Sequence, residues 1–286
     1  MIWTIRTRKG NSYCIRLTWL ALPILVFVAA LIMTAVLSAY QAQYKRYYDA
    51  TYQAILSHEI QFVAHDKKVA QNAVRNCAYS TPEIFTVDLI HYRTGEEGVI
   101  YQFTYNHYAN DYQNNLDRFN QYVDDIVRSA PEMTDDLDKV KWIHDYIIEH
   151  YEYGGDHSAL SMLDTGIGVC SAYTGLFEAM AGRMGVTCGA AVSDKMEHTW
   201  NIVKIGRKWY HVDATWDDQG AVADYTYYMK TDEEFRNLHH QDWVDTSINL
   251  DYYVTMRNQV LIAGAILTAA LLLVIFAPAL FNYLCR

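Results

Sequence analysis

The chain has 286 residues, 51% of them hydrophobic, and a formal net charge of −10 at pH 7. All 33 Asp and Glu lie between positions 41 and 258, beside 18 of the 23 Lys and Arg, so this segment carries a formal charge of −15. Such a surface excludes the phosphate backbone of nucleic acid as a partner. It also argues against docking on an anionic lipid surface.

Two uncharged, apolar runs flank the acidic segment. The first is 17–40, LTWLALPILVFVAALIMTAVLSAY, and the second is 259–285, centred on VLIAGAILTAALLLVIFAPAL. Because about 20 apolar residues in a helix cross the core of a bilayer, both runs predict transmembrane helices. The first run is longer than the roughly 7–15 apolar residues of a signal peptide, and Val36 with Ser38 is only a weak cleavage motif. We therefore predict an uncleaved anchor.

Basic residues predict how the two spans are oriented. Four of them precede the first span: Arg6, Arg8, Lys9 and Arg16. Only Lys45 and Arg46 follow it closely. The positive-inside rule then predicts a two-pass protein of the cell membrane, with both termini cytoplasmic and the intervening segment extracytoplasmic.

The spans carry small residues at intervals that suit helix packing. They are Ala30, Thr34 and Ser38 in the first span, and Gly264 and Thr268 in the second. Small side chains let helix backbones approach closely in lipid, where no hydrophobic force drives association. We therefore predict that the two spans pack against each other as a hairpin.

The outer segment begins with mixed secondary structure. Residues 41–80 read as mainly helical, with a short strand near Phe62, and Pro82 ends this region. The runs EIFTVDLIHYRT and GVIYQFTYN are joined through Gly95-Glu96-Glu97-Gly98. Their composition and the glycine-containing connection predict a β-hairpin.

Two predicted helices follow the hairpin. Apolar side chains repeat at helical spacing between Leu116 and Val127, and Pro131 closes that helix. Thr134 is the predicted N-cap of the next helix. The apolar stripe of that helix runs from Leu137 to Tyr151.

Cys170 follows a glycine-containing loop and opens another predicted helix, which ends at Gly185. A thiol at a helix N-terminus meets the positive end of the backbone dipole, which stabilises the nucleophilic thiolate. The backbone N–H of the same residue is placed to stabilise an oxyanion. By itself, the pattern is more often that of a small cysteine buried in a helix.

The segments HTWNIVKI and KWYHVDAT, on either side of Gly206-Arg207, predict a hairpin with a two-residue turn. In that register His198 faces Thr215, so the side chains of His198 and Asp213 emerge on one face and can meet. A four-residue loop would keep this parity and a three-residue loop would break it. An imidazole held by a carboxylate is the base-and-orienter pair that a cysteine nucleophile needs.

The stretches GVCSAYTGLFEAMAGRMGV and EHTWNIVKIGRKWYHVDATWDD resemble the bacterial branch of the transglutaminase-like superfamily. The resemblance extends to KVKWIHDYIIEHYEY before them and DYTYYMKTDEEFRNLHHQDW after them, and covers about 135–243. It implies an α+β fold with a papain-like core, in which the helix bearing the cysteine packs on an antiparallel sheet bearing the histidine and aspartate. It also implies a triad of Cys170 as nucleophile, His198 as general base and acid, and Asp213 as orienting residue.

The function implied by this resemblance is acyl transfer through a thioester on Cys170. Water as the acceptor would make the protein a cysteine peptidase or amidase, and an amine would make it a crosslinking transferase. The predicted location indicates a peptide or protein substrate at the cell surface, cell-wall peptides included, with the lipid bilayer as partner of the two spans. The competing hypothesis is a catalytically silent module that keeps the fold for binding or scaffolding.

Two other histidines need an interpretation. His211 shares a face with Asp213 and competes for the imidazole role, although the Cys–His–Trp order of the family favours His198. His144 with Asp145 looks like a surface pair on a helix. We expect this pair to brace the core.

No metal or cofactor is predicted. His239, His240 and Asp242 look like a metal cluster, but adjacent histidines on an extended chain point apart. Three cysteines fall in the predicted outer segment, so at least one of them stays unpaired within it. Cys77 and Cys188 are candidates for a disulfide that leaves the third thiol free.

The predicted organisation has six parts. They are a cytoplasmic tail at 1–16, a transmembrane helix at 17–40, an N-terminal α/β part at 41–134, a transglutaminase-like core at 135–258, a second transmembrane helix at 259–282 and a cytoplasmic tail at 283–286.

Overall fold

The computed structural model of the chain describes residues 2–6, 12–65, 67–96, 98–220, 224–245 and 250–284. The chain forms two compact units. The terminal unit consists of Met1–Gln43 with Leu250–Arg286, and the central unit of Tyr44–Asn249.

The chain contains both strands and helices. The described strands are β1 (Ile2–Arg6), β2 (Ser12–Arg16), β3 (Gln61–Ala64), β4 (Val87–Gly95), β5 (Gly98–Tyr105), β6 (Glu152–Asp156), β7 (Ile167–Gly168), β8 (Cys188–Ser193), β9 (His198–Ile205), β10 (Lys208–Val212) and β11 (Val244–Asp245). The described α-helices are α1 (Leu17–Leu56), α2 (Lys67–Tyr79), α3 (Tyr112–Arg128), α4 (Asp136–His150), α5 (Ala159–Thr165), α6 (Cys170–Arg183), α7 (Ala214–Asp217), α8 (Asp232–Asn237) and α9 (Leu250–Leu284).

The terminal unit contains an antiparallel hairpin, β1 with β2, that the sequence patterns do not predict. Helices α1 and α9 each hold a stretch long and apolar enough to cross a membrane: Ala21–Leu56, of mean hydropathy 2.5, and Met256–Ile275, of mean hydropathy 2.2. A Cβ at Gly264 would clash with the Cβ of Ala30. The predicted approach of the two helices through small residues is therefore confirmed at this pair.

The central unit begins with a three-stranded antiparallel sheet of order β3–β5–β4. Gly95 pairs with Gly98, which confirms the predicted hairpin, and β3 is the short strand expected near Phe62. Side chains from α1, α2 and the sheet form a separate apolar core that includes Ile55, Val74, Cys77, Tyr101 and Phe103.

A second and larger core surrounds α6. This helix is apolar on nearly every side, and its Leu176, Phe177 and Met180 are fully buried. Helices α3 and α4 pack there through Phe119 and Ile143. Because burying each such side chain stabilises the fold by roughly 1.5–3 kcal/mol, α6 is held rigidly at the centre of this core.

Two local predictions here are wrong. The N-cap of α4 is Asp135 and not Thr134, because the Asp135 carboxylate accepts a hydrogen bond of 2.7 Å from the Leu137 N–H. A carboxylate there also interacts with the positive end of the helix dipole. The expected loop before Cys170 instead contains β6, α5 and β7, and β6 pairs with β7 in parallel.

The four-stranded antiparallel sheet has the order β10–β9–β8–β11, and α6 packs against β9. Lys208 pairs with Ile205, so the predicted register of the β9–β10 hairpin is confirmed. The second strand is shorter than predicted. It ends at Val212 because the next residue, Asp213, turns the chain and caps α7.

Cys77 and Cys188 are free thiols, so the candidate disulfide between them is wrong. Cys77 is buried in the core of the first sheet. Cys188 opens β8, where Asn201 donates a hydrogen bond to its Sγ at 3.6 Å. The two thiols thus belong to different layers of the central unit.

Candidate active site

Cys170 is the first residue of α6 and is partly accessible. The chain reaches it through Gly168, where a Cβ would lie 2.7 Å from the Cβ of Ala172, so only glycine permits this approach to the helix. Val169 is the N-cap residue and offers no side-chain cap. The first N–H groups of α6 are therefore not occupied by a capping side chain and can stabilise a developing negative charge.

His198 and Asp213 are brought together from different elements. His198 starts β9 and pairs with Ser193 on β8, so it does not face Thr215 as the longer predicted strand would require. Its Nε2 lies 2.7 Å from Oδ2 of Asp213. The predicted contact between the two side chains is therefore present, although Asp213 reaches it from the N-cap of α7 and not from a strand.

Charge and hydrogen bonding fix the protonation of this pair. Burial of the His198 imidazole opposes its charged form, but the charge and hydrogen bond of Asp213 and the contact with Cys170 outweigh burial and raise the pKa of His198 to about 10. Burial likewise opposes ionisation of Asp213, yet His198 and then His240 keep its pKa below the ordinary value. The pair is an imidazolium beside a carboxylate.

The Cys170 thiol contacts the same imidazole. Because Nε2 is bonded to Asp213, the other ring nitrogen, Nδ1, is the one left for the thiol. The structure thus brings the three predicted side chains together, in the order carboxylate, imidazole, thiol. This arrangement can hold a thiolate beside an imidazolium and pass a proton between sulfur, ring and substrate.

A cleft of about 460 Å³ opens beside Cys170 and His198. Its walls come from 78–90, which connects α2 to the first sheet, and from 192–199, which connects β8 to β9. The N-terminal part of the central unit therefore contributes directly to the surroundings of the thiol. No motif in the sequence indicates that contribution.

His240 is a component of the site that the sequence does not indicate. It is fully buried, and its Nε2 lies 2.9 Å from Oδ2 of Asp213, the same oxygen that His198 contacts. The pair His239-His240 suggests only a metal cluster in the sequence. The contact depends on the path of the chain after α8, which local patterns do not specify.

His211, the competitor for the imidazole role, and His144 have other partners. His211 receives a hydrogen bond of 2.9 Å from the Trp200 indole, and its Nε2 lies 3.2 Å from Asp232. Burial is the main reason that the pKa of His211 falls to about 4. His144 is fully buried and lies 3.1 Å from Asp217, so it braces the core as expected.

His198, Asp213 and His240 offer three ligand atoms within 4.8 Å of one another. Both imidazole Nε2 atoms face the same carboxylate oxygen, and an ionised carboxylate can only accept hydrogen bonds. Each Nε2 therefore carries a proton and points it at Asp213. A metal ligand needs a free lone pair instead, so this geometry is a hydrogen-bond network.

Comparisons with known proteins agree with the resemblance in the sequence. Residues 120–214 match the family model described as the transglutaminase-like superfamily. The kyphoscoliosis peptidase of Mus musculus is 31% identical over 120 residues, and that of Homo sapiens is 30% identical over 119 residues. Each alignment covers 34% of this chain and 18% of the relative, so the chain spans less than a fifth of these curated proteins.

A solved structure described as "Crystal structure of a TGase" aligns with a TM-score of 0.33 and 14% identity. The alignment covers 65% of this chain and 56% of that one. The family match spans the cysteine helix, the histidine strand and the aspartate that follows β10. Residues 120–214 of this chain therefore form a transglutaminase-like domain.

Proposed function

We propose that this protein is a membrane-anchored cysteine enzyme that transfers acyl groups through a thioester on Cys170. The observation that carries the proposal is the alignment of Asp213, His198 and Cys170 at the edge of an open cleft. The transglutaminase-like domain supports a papain-like cysteine acyltransferase or peptidase. The roles of nucleophile, general acid and base, and orienting residue fall to Cys170, His198 and Asp213 respectively.

Acylation starts with attack of the Cys170 thiolate on a carboxamide or peptide carbonyl. A bond forms between sulfur and carbon, and the carbonyl π electrons move to oxygen. The first N–H groups of α6 stabilise this oxyanion. As the carbon–nitrogen bond breaks, the His198 imidazolium gives its proton to the leaving nitrogen, which departs as an amine or ammonia.

Deacylation uses the same groups in reverse. Neutral His198 takes a proton from the acceptor, the acceptor bonds to the acyl carbon, and the Cys170 thiolate departs beside the restored imidazolium. Water as acceptor gives hydrolysis, so the protein acts as a peptidase or amidase. A primary amine gives a new amide and therefore a crosslink.

The cleft supports a peptide or protein as the substrate. Its described lining contains three carboxylates and no lysine or arginine: Asp88, Asp194 and Glu197. Arg75 pairs with Asp194 and offsets part of this charge. We therefore expect peptides with neutral or basic residues around the reacting carbonyl to bind better than acidic ones.

The two apolar helices support a lipid bilayer as the anchor. With four basic residues before the first span, the positive-inside rule puts the cleft on the extracytoplasmic side, facing surface proteins or cell-wall peptides. A membrane-impermeant maleimide added to sealed cells should label Cys170 and leave Cys14 unlabelled. Labelling of Cys14 with protection of Cys170 would invert the topology.

A thiol-directed activity probe tests the chemistry. A peptidyl electrophile should label the native full-length protein at one residue, Cys170, and should not label Cys170→Ala. The competing hypothesis, a silent binding or scaffold module, predicts that native protein reacts no faster than the same protein unfolded in denaturant. That result would replace the enzyme with the module.

A further inference from the structure

We propose that His240 is a positioning residue of the reaction, which acts on Cys170 and His198 by holding the Asp213 carboxylate through Oδ2, the same oxygen that His198 contacts. This inference rests on the proposed roles of those three residues. It adds a fourth side chain to the site, one that touches neither the thiol nor the substrate cleft.

The Asp213 carboxylate accepts three hydrogen bonds, two of them from histidine side chains. Its Oδ1 accepts from the Trp216 N–H at 3.2 Å, and its Oδ2 accepts from His198 at 2.7 Å and from His240 at 2.9 Å. A buried carboxylate is stable only when such donors compensate for lost water. Of the two side chains that donate to it, His240 is the one that is not itself required for proton transfer.

The surroundings of His240 hold it in one orientation. Its ring lies 4.2 Å from that of Phe235 and 4.4 Å from that of Trp216, with Trp200 edge-on at 4.9 Å. Its backbone N–H donates to the Phe235 carbonyl at 3.2 Å. The imidazole is fully buried among these rings, which hold it against Asp213.

The second ring nitrogen argues against a purely space-filling role. Nδ1 of His240 is buried and has no hydrogen-bond partner. Leaving a buried polar atom unpaired destabilises the fold, a cost that a phenylalanine in the same cage would not carry. Among the described residues, the hydrogen bond of this side chain that offsets the cost is the one from Nε2 to Asp213.

Loss of the His240 contact should affect the reaction through Asp213 and then His198. Without His240, Oδ2 of Asp213 keeps one donor, and its charge is less well compensated and less fixed in direction. The imidazolium of His198 is then held less firmly, and the thiolate–imidazolium pair gives way to the neutral thiol and imidazole. The other titratable groups around His240 are His211 from β10 and Tyr227 from the segment before α8.

Alkylation of Cys170 by iodoacetamide tests this inference without a known substrate. The full-length protein and the variants His240→Phe and His240→Gln are compared by peptide mass spectrometry from pH 5 to 10. We expect His240→Phe, which fills the cage but cannot donate, to react about 10- to 100-fold more slowly at neutral pH, the factor that matches a hydrogen bond to a charged group. The deficit should shrink as pH approaches about 10, where the His198 imidazolium that His240 supports loses its proton.

The glutamine variant is the matched control. Its amide can donate to Asp213, so it should recover most of the rate and the profile of the native protein. Equal losses in the two variants, or a folded His240→Phe with the native rate and pH profile, would overturn the positioning role while leaving the proposed function intact. Native Cys170 that reacts like an unfolded thiol would instead overturn the proposed function and this inference with it.

Where His240→Phe does not fold, a spectroscopic measurement on the native protein decides the question. The Nε2 proton of His240 should give a slowly exchanging resonance in a histidine-selective proton–nitrogen spectrum. Alkylation of Cys170 should move that resonance, because the charge of His198 and the bond to Asp213 change together. A resonance that does not move would contradict the proposal.

Discussion

Two of the buried histidine–aspartate pairs in the central unit are His198 with Asp213 and His144 with Asp217, and their differences show what makes the first a candidate for catalysis. His198 has Asp213 on Nε2, which leaves its other ring nitrogen for the Cys170 thiol, and it lies at the edge of a cleft. His144 has Asp217 on Nε2 at 3.1 Å and Asp145 on Nδ1 at 3.0 Å. Both nitrogens of His144 are therefore occupied by carboxylates.

The surroundings of the two pairs differ as much as their partners do. Tyr225 stacks on the His144 ring at 5.3 Å, and Tyr228 lies 5.0 Å away. Burial raises the pKa of Asp217, whereas the donors around Asp213 lower the pKa of that carboxyl. A histidine that is only buried and paired with carboxylates thus stabilises the fold. A proton-transfer site also needs a free ring nitrogen, a nucleophile and access.

Removing the Cys170 thiol should have the largest effect on turnover. Comparing it with removal of the Cys188 thiol separates a reactive thiol from a structural one. Cys170→Ala should lower turnover of an acyl substrate by on the order of 10⁶-fold, as expected when one member of a catalytic unit is lost. Cys188→Ala is the matched control, because burial raises the pKa of that thiol far above the ordinary value and keeps it unreactive. The rates of both variants are to be measured against the same peptide amide. Similar losses in the two would remove the distinction between reactive and structural thiols.

Replacing each histidine should affect different properties. His198→Gln should reduce turnover by several powers of ten, and it should also lower the free energy of unfolding because buried Asp213 loses a partner. His144→Gln leaves two carboxylates without their partner, so we expect a loss of about 3 kcal/mol in the free energy of unfolding with turnover nearly unchanged. Denaturant titration and initial rates on both variants provide the check. A large loss of turnover in folded His144→Gln would contradict a purely structural role for His144.

Replacing the aspartate of each pair should also affect turnover differently. Asp213→Asn should lower turnover by about 10²- to 10⁴-fold, because an amide cannot support the imidazolium or fix its tautomer. Asp217→Asn should be nearly neutral for rate, since burial already disfavours the charged form of that carboxyl. Steady-state rates at neutral pH distinguish these outcomes. If Asp213→Asn kept the native rate, the orienting role would be wrong.

The pH dependence of stability gives the smallest expected effect. The pKa of His198 is raised from 6.5 to about 10, so its contribution to stability is fully present below about pH 6.5 and is lost as pH rises through about 10. In a Cys170→Ala background, the stability difference between the protein with and without His198→Gln should therefore shrink over that window. Denaturant titrations at a series of pH values measure it.

His211→Gln is a control, because the contribution of His211 to stability should depend on pH in the opposite direction. Its pKa falls to about 4, so its contribution to stability is present above pH 6.5 and is lost as pH falls towards 4. The stability difference for His211→Gln should accordingly change on the acidic side. A His198→Gln difference that stayed constant from pH 6.5 to 10 would contradict the ion pair.

The sequence predicts the parts of the site that depend on local patterns. A cysteine before an apolar helical stripe predicts the start of α6, and alternation around Gly206-Arg207 predicts the register of the β9–β10 hairpin. These features need only neighbouring residues. The contact of His198 with Asp213 was expected on a longer strand and forms at the N-cap of α7 instead, because a carboxylate that can cap a helix competes with strand extension.

What the sequence could not predict depends on contacts distant along the chain. His240 meets Asp213 only because the chain returns to the sheet after α8. The cleft wall at 78–90 comes from a segment with no recognisable motif. Neither the pairing of β6 with β7 nor the β1–β2 hairpin follows from composition, because both consist of short strands whose partners decide their structure.

Mass spectrometry of the acylated enzyme tests the central claim most directly. The purified full-length protein is mixed with an excess of an activated peptide ester, quenched in acid within seconds, digested and mapped. We predict the acyl mass on Cys170 alone. It should be labile to hydroxylamine, as a thioester is, and it should accumulate when Asp213→Asn slows deacylation. An acyl group on another residue, or none on Cys170 while substrate is consumed, would contradict it.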